Sequence, residues 1–174
     1  MFKKELLTIS GSFFVKERRD YMYINTYSNH YQQTIDHFHG AYAFLSNFYP
    51  SRIYYRGYWY ANNEAAFQAQ KTLSPKEQLQ FTKLRNPKDA KKLGREVQLR
   101  SDWERVKLMY MYEICMCKFM QNPTLCKALL ATGNCHLVEG NNWGDYFWGS
   151  VNGHGENHLG KILMDIRAKL QFEC

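Results

Sequence analysis

Three of the chain's four prolines, Pro75, Pro87 and Pro123, stand where a helix can begin, and the first two follow the capping residues Ser74 and Asn86. Proline has no amide hydrogen and a preset φ, so it suits the first turn of a helix and disrupts later ones. A Ser or Asn just before it accepts hydrogen bonds from the amides left free at that end. Asn62 or Asn63 opens an earlier helix running to about Thr72, and Gly94 and Gly133 close later ones. Asp102 opens the longest helix, in which Val106, Met109, Tyr110, Ile114, Cys117 and Met120 recur at helical spacing. Pro123 starts a shorter one through Ala131, and Leu159, Ile162, Leu163, Ile166 and Leu170 mark a final amphipathic helix. Strand signals are few. Residues 34–38 alternate apolar and polar, and residues 53–60 are aromatic and β-branched with Gly57 interrupting, as in a short hairpin or bent strand. The expected fold class is mainly α with a few short β-strands near the N-terminus.

With 174 residues the chain has the length of one ordinary domain. Residues 34–172 are read as that single domain and residues 1–33 as an N-terminal extension. In the extension Tyr21, Tyr23, Ile24 and Tyr27 form either an extra strand or part of a loose tail. The five cysteines (Cys115, Cys117, Cys126, Cys135 and Cys174) are odd in number, with no Cys-x-x-Cys pair and no His at zinc-finger spacing. They point to reduced thiols in a cytoplasmic protein, with Cys115 and Cys117 as small apolar packers on a helix. The opening MFKKELLTISGSFF is a poor secretory signal. No run approaches the roughly 18 apolar residues of a membrane span, so no membrane partner is expected. The oligomeric state is left open.

A formal charge of +7 calls for an anionic partner. The excess gathers at Lys83, Arg85, Lys88, Lys91, Lys92, Arg95, Arg100, Arg105 and Lys107. For most of these a solvated helical surface is the plain expectation, with a phosphate-binding rim or a nucleic-acid footprint as sharper ones. In the segment NNEAAFQAQK, Glu64, Phe67, Gln68 and Lys71 share one helix face. Glu64 and Lys71 lie about 10 Å apart along the axis, enough to span a sugar phosphate. An ordinary solvated stripe over Phe67 is the simpler expectation for this helix taken alone.

The loop GNNWGDYFWGSVNGHGEN is more informative. It sets Trp143, Asp145, Tyr146, Phe147 and Trp148 among glycines that let backbone approach a ligand closely. An acid among indoles is expected to be desolvated and suited to proton transfer. The helix start after the loop, near Glu156 and Asn157, is a natural anion site. Trp103 taken alone is a core anchor more often than a stacking residue. His154 and His158 have no third ligand in view, so no metal is expected, and no G-x-S-x-G elbow surrounds any Ser or Cys.

These blocks resemble the YbiA/NADAR family over about residues 34–170. They are FLSNFYPS (44–51), NNEAAFQAQK (62–71), LGREVQLRSDWERVK (93–107), LLATGNCHLVEGNNWGDYFWG (129–149) and GENHLGKILMDIR (155–167). The resemblance implies a single-domain YbiA-like helical fold and an N-glycosidase releasing ribose 5-phosphate from aminopyrimidine intermediates of riboflavin synthesis. It also implies a catalytic set of Glu64, Asp145 and Trp103. Asn47, Lys71, Arg95 and Gly149 are implied to line a ribose-phosphate pocket, and Trp143 and Trp148 belong to the same expected binding surface. No cofactor is expected. The expected partner is a small phosphorylated N-riboside; nucleic acid enters only if the substrate is ADP-ribosyl-guanine, as for some family members. A non-catalytic module binding NAD or ADP-ribose is the remaining alternative.

Overall fold

The computed structural model describes residues 7–9, 12–14 and 33–172. The chain divides into two units, Met1–His30 and Tyr31–Cys174. In the first, β1 (Leu7–Ile9) pairs antiparallel with β2 (Ser12–Phe14). The expected strand through Tyr21, Tyr23, Ile24 and Tyr27 lies outside the described residues, as does Cys174.

The second unit is mainly α with few and short strands. Its elements are β3 (Thr34–Ile35), a 3-10 helix (Gly40–Leu45), β4 (Ile53–Tyr55), β5 (Tyr58–Tyr60), α1 (Asn63–Ala69), α2 (Pro75–Phe81), α3 (Pro87–Leu93), α4 (Trp103–Gln121), α5 (Pro123–Ala131), β6 (His136–Leu137) and α6 (His158–Leu170). The capping signals operate as expected. Ser74 accepts from the Glu77 amide and Asn86 from Lys88, each with proline in the first turn. The segment 53–60 is a hairpin whose two-residue turn, Arg56-Gly57, has positive φ at both positions (48° and 88°). That geometry matches the right-handed twist of paired strands.

The strand β6 lies far from the N-terminal strands in sequence, yet it pairs parallel with β3, setting Ile35 beside Leu137. Two residues carry no readable periodicity, so only the assembled fold reveals this pair. The face of α4 also differs from expectation. Tyr110 and Ile114 are buried, but Met109 and Met120 are 37% and 54% exposed, while Met111, Cys115, Lys118 and Phe119 point inward. The cause is that α4 packs against α1, α5, α6 and β4 at once. A helix enclosed on several sides has no single apolar stripe for periodicity to find. Cys115 is buried and Cys117 half-buried, and loss of solvent pushes their thiols up to about 12 and about 11. Both serve as protonated packing groups.

All seven residues of α1 are buried, polar ones included. Its cap is a double tie. The Asn62 side-chain oxygen accepts from the Ala65 amide at 2.9 Å, and its amide group donates to the Arg85 carbonyl at 2.9 Å, holding the α2–α3 connection. Removing both at a residue only 1% exposed loses a cap and the tie to the Arg85 carbonyl. Asn62→Ala is expected to destabilise the protein by about 2–4 kcal/mol, read as a lower urea midpoint with an unchanged denaturant slope.

Candidate active site

Along α1, Glu64, Phe67 and Gln68 face a cleft of about 950 Å3 whose other walls come from the turn after the 3-10 helix, from α3, α4 and the loop before α6. Glu64 is 6% exposed and Gln68 5%, so the solvated-stripe expectation for this helix is overturned. The reason is tertiary: α2, α3, α4 and β5 pack around the helix and leave its polar face only the cleft. Gln68 donates to the Glu64 carboxylate at 2.8 Å. Burial raises the Glu64 pKa; the Gln68 hydrogen bond and the charges of Lys91 and Lys71 pull it down, and Asp145 pushes it up.

Asn47 reaches the same wall from the turn after the 3-10 helix. Its carbonyl accepts from the Glu64 amide at 3.1 Å, its side-chain oxygen from Asn63 at 3.4 Å, and its amide group meets the Met111 sulfur at 3.0 Å. Lys118, 1% exposed on α4, donates to the neighbouring Ser46 carbonyl at 2.8 Å. Burial lowers its pKa to about 8, against the opposing pull of Cys115 and Glu139.

Six cations among the described residues line the cleft. Lys71, half-buried just past α1, donates to the Gly94 carbonyl at 3.2 Å, and burial lowers its pKa while Glu64 raises it. Lys88, Lys91, Lys92 and Arg95 come from α3 and the turn after it, and Lys107 from α4. Of the remaining basic cluster, Arg100 turns to a separate recess of about 340 Å3, where it holds Asp102 at 2.6 and 3.0 Å. Arg105 reaches the same aspartate at 3.6 Å.

Aromatic rings line the cleft as well. Trp103 is 7% exposed, 5.1 Å from Phe67 and stacked on Tyr110 at 6.3 Å, so it is a core anchor and a cleft wall together. Trp148 meets Phe67 edge-on at 5.4 Å, and Phe147 carries the Lys107 ammonium over its ring at 3.7 Å. Trp143 stands at the mouth, 63% exposed.

The loop that bears these rings is built on Asn141 and Asp145. Asn141 donates to the Asp145 carbonyl and accepts from its amide, at 2.9 and 3.0 Å, while Asp145 accepts from the Trp148 amide at 2.9 Å. Asp145 is only half-buried, and Trp143 turns outward. The amides of Asn157, His158 and Leu159 donate to the carbonyls of Gly149, Phe147 and Trp148. These are the groups that would have held an anion at the start of α6, so the expected anion site there does not form. No group of three or more His, Cys, Asp or Glu suited to a metal occurs among the described residues. No helix among them is long and apolar enough to cross a membrane.

Eight of the nine site residues named from the sequence therefore line one cleft: Asn47, Glu64, Lys71, Arg95, Trp103, Trp143, Asp145 and Trp148. Gly149 stands behind the wall. A Cβ there would lie 2.1 Å from the Glu139 carbonyl and 3.0 Å from its Cγ, so glycine leaves room for Glu139. Glu139 itself was not singled out, nor were Lys91, Phe147 and Gln68 as cleft groups. An acid directly after the apolar pair Leu137-Val138 was the available signal. Burial, aided by Asp145 and Glu64, pushes the Glu139 carboxyl up to about 7, with Lys118 and Lys91 opposing.

The folded protein holds this proton through a window in which the unfolded chain, with the ordinary 4.5, has lost it. Stability from this group is therefore full below about pH 4.5, falls as pH rises through about 7, and stays reduced above, by on the order of 3 kcal/mol. Glu139→Gln is expected to raise the melting temperature at about pH 8.5 and to change it little at about pH 4, by scanning calorimetry at both. An equal shift at the two pH values would refute this electrostatic origin.

Residues 15–171 match the NADAR domain. The chain is 38% identical over 136 residues to an N-glycosidase of Nostoc punctiforme, covering 75% of this chain and 86% of that one. A riboflavin biosynthesis protein of Vibrio vulnificus is 40% identical over 132 residues, 74% of this chain but 36% of that longer protein. The NMR structure of the E. coli protein YbiA superposes with a TM-score of 0.73 at 36% identity, covering 82% of this chain and 88% of that one; that protein bears the name N-glycosidase.

Proposed function

The chain belongs to the NADAR family, and from that premise we propose that it is an N-glycosidase, a hydrolase that cleaves the C–N bond between a phosphorylated ribose and a base. The observation that carries the reading is the buried Glu64 carboxylate facing a cleft lined by both cations and aromatic rings. Breaking a ribosyl C–N bond develops positive charge at the anomeric carbon. A preorganised carboxylate shielded from water stabilises that charge more strongly than one in bulk solvent. Gln68 holds the Glu64 oxygen in place, and Lys91 and Lys71 favour its ionised form against the burial that raises its pKa.

The phosphate fits the cations Lys71, Lys91 and Arg95, and the base fits the rings of Trp103, Trp148 and Trp143. Asp145 at the loop edge suits a ribose hydroxyl or the leaving group. The substrate we propose is an aminopyrimidine ribose phosphate of the riboflavin pathway, giving ribose 5-phosphate. Names borne by the relatives support that choice. A second reading, release of ADP-ribose from guanine in nucleic acid, draws on the exposed Lys88, Lys92 and Arg95 at the outer lip. Those cations are more than one phosphate needs.

Purified protein incubated in parallel with 5-amino-6-ribosylaminouracil 5′-phosphate and with DNA carrying ADP-ribosylated guanine separates the two, with products read by mass spectrometry. Ribose 5-phosphate from the first alone is the expected outcome. ADP-ribose from the second alone, falling steeply with salt, would move the activity to nucleic acid. Glu64→Gln is expected to lower turnover by at least about 10²-fold, and wild-type turnover in that variant would sink the mechanism.

A further inference from the structure

The N-glycosidase reading leaves one requirement open. The base departs with the electron pair of the broken bond, so its nitrogen needs a proton from a nearby acid. Asp145 already has a structural duty. Its carboxylate accepts the Trp148 amide and its backbone is tied to Asn141, so it closes the turn that carries Phe147 and Trp148.

Glu139 lines the same cleft and bears no such duty. Its backbone is fixed on both sides: the amide donates to the Asn157 side chain at 3.0 Å, and the carbonyl accepts from the Ser150 amide at 2.9 Å. The side chain is left over. Its Oε2 is shut off from solvent and has no hydrogen-bond partner. A buried polar atom without a partner is rare, and where one occurs in a cleft it marks a place for a ligand's complementary group. Gly149, which leaves room for Glu139, keeps the acid in that position.

We propose that Glu139 is the catalytic acid that protonates the departing base nitrogen, an assignment that rests on the N-glycosidase reading. The charged groups around it come from every packed element: Glu64 on α1, Lys91 on α3, Lys118 on α4 and Asp145 in the loop. Burial and the two acids favour its protonated form, and the two lysines limit the effect. Glu64 accepts the Gln68 hydrogen bond and faces Lys91 and Lys71, which favour its anion against the burial that raises its pKa. Two carboxyls in unlike surroundings can divide acid and base roles. In the step, the C1′–N bond breaks, its electron pair goes to nitrogen, and nitrogen takes the Glu139 proton. Water adds to C1′ and its proton passes to Glu64. The free base and the ribose 5-phosphate leave, and exchange with solvent returns Glu139 to the acid and Glu64 to the anion.

The test compares wild type, Glu139→Gln and Asp145→Asn on two ribosides bearing the same 5-phosphate. One carries the aminopyrimidine; the other carries nitrophenol, which leaves as an anion without protonation. For Glu139→Gln, kcat on the aminopyrimidine riboside should fall about 10²–10⁴-fold with little change in KM, while kcat on the nitrophenyl riboside stays within about threefold of wild type. The decline of wild-type kcat above about pH 7 should vanish in this variant. Turnover of the nitrophenyl riboside doubles as the proof that the variant is folded. Equal losses on both substrates, or none on the aminopyrimidine, would overturn the assignment, as would the leaving-group-dependent pattern appearing in Asp145→Asn instead. A wild-type protein inert on both ribosides would overturn the reading as an N-glycosidase of ribose 5-phosphate substrates, and that result is read without any variant.

Discussion

The Gln68 side chain occupies the space where a Cβ on Gly94 would stand, with its Oε1 only 1.9 Å from that position. That contact sets how closely α1 and α3 approach, and much of the site depends on it. Seven residues are too few for a helix to be stable alone in water, so α1 exists because its neighbours enclose it. The same enclosure leaves Gln68 one use for its amide group, the hydrogen bond to Glu64. Lys71, donating to the Gly94 carbonyl, is positioned by the same approach. One steric requirement at one glycine thus aligns a carboxylate, its orienting amide and a cation along one edge of the cleft.

The electrostatic consequence is a site that works against stability. Three acids, Glu64, Glu139 and Asp145, share one cleft in which Glu64 and Glu139 have raised proton affinity, and half-buried Lys71 and buried Lys118 are pushed the other way. None of these groups forms a close ion pair among the described residues. Charges gathered this way without pairing are destabilising, and their clustering is the mark of a functional site. The surrounding core offsets them. Ile114, Phe119, Ile162, Leu163 and Ile166 are fully buried where α4 and α6 pack behind the cleft.

Helix boundaries were legible because their chemistry is local. Asn62, Ser74 and Asn86 cap, and Pro75, Pro87 and Pro123 open, through contacts made within a few residues. The cleft residues Glu64, Trp103 and Asp145 were legible partly as odd residues on a patterned background and partly through family blocks. What escaped was whatever depended on distant neighbours: the parallel pairing of β3 with β6, the inward face of α4, and the outward turn of Trp143. Glu139 escaped for the same reason. In the chain it is one acid after a short apolar pair, and its character comes from Asp145, Glu64, Lys118 and Lys91, which lie on four other segments.

By itself the sequence determined the helical class, the places where the helices start and stop, the family, and most of the residues that meet in the cleft. Those follow from backbone capping, side-chain periodicity and ordered motifs, all of which act over short stretches of chain. Only the tertiary structure decided that α1 is buried on every side, that the amides at the start of α6 are occupied by the preceding loop, and that Glu139 joins Glu64 without a partner for its Oε2. Burial and field strength are sums over neighbours from many parts of the chain, and no local pattern contains them.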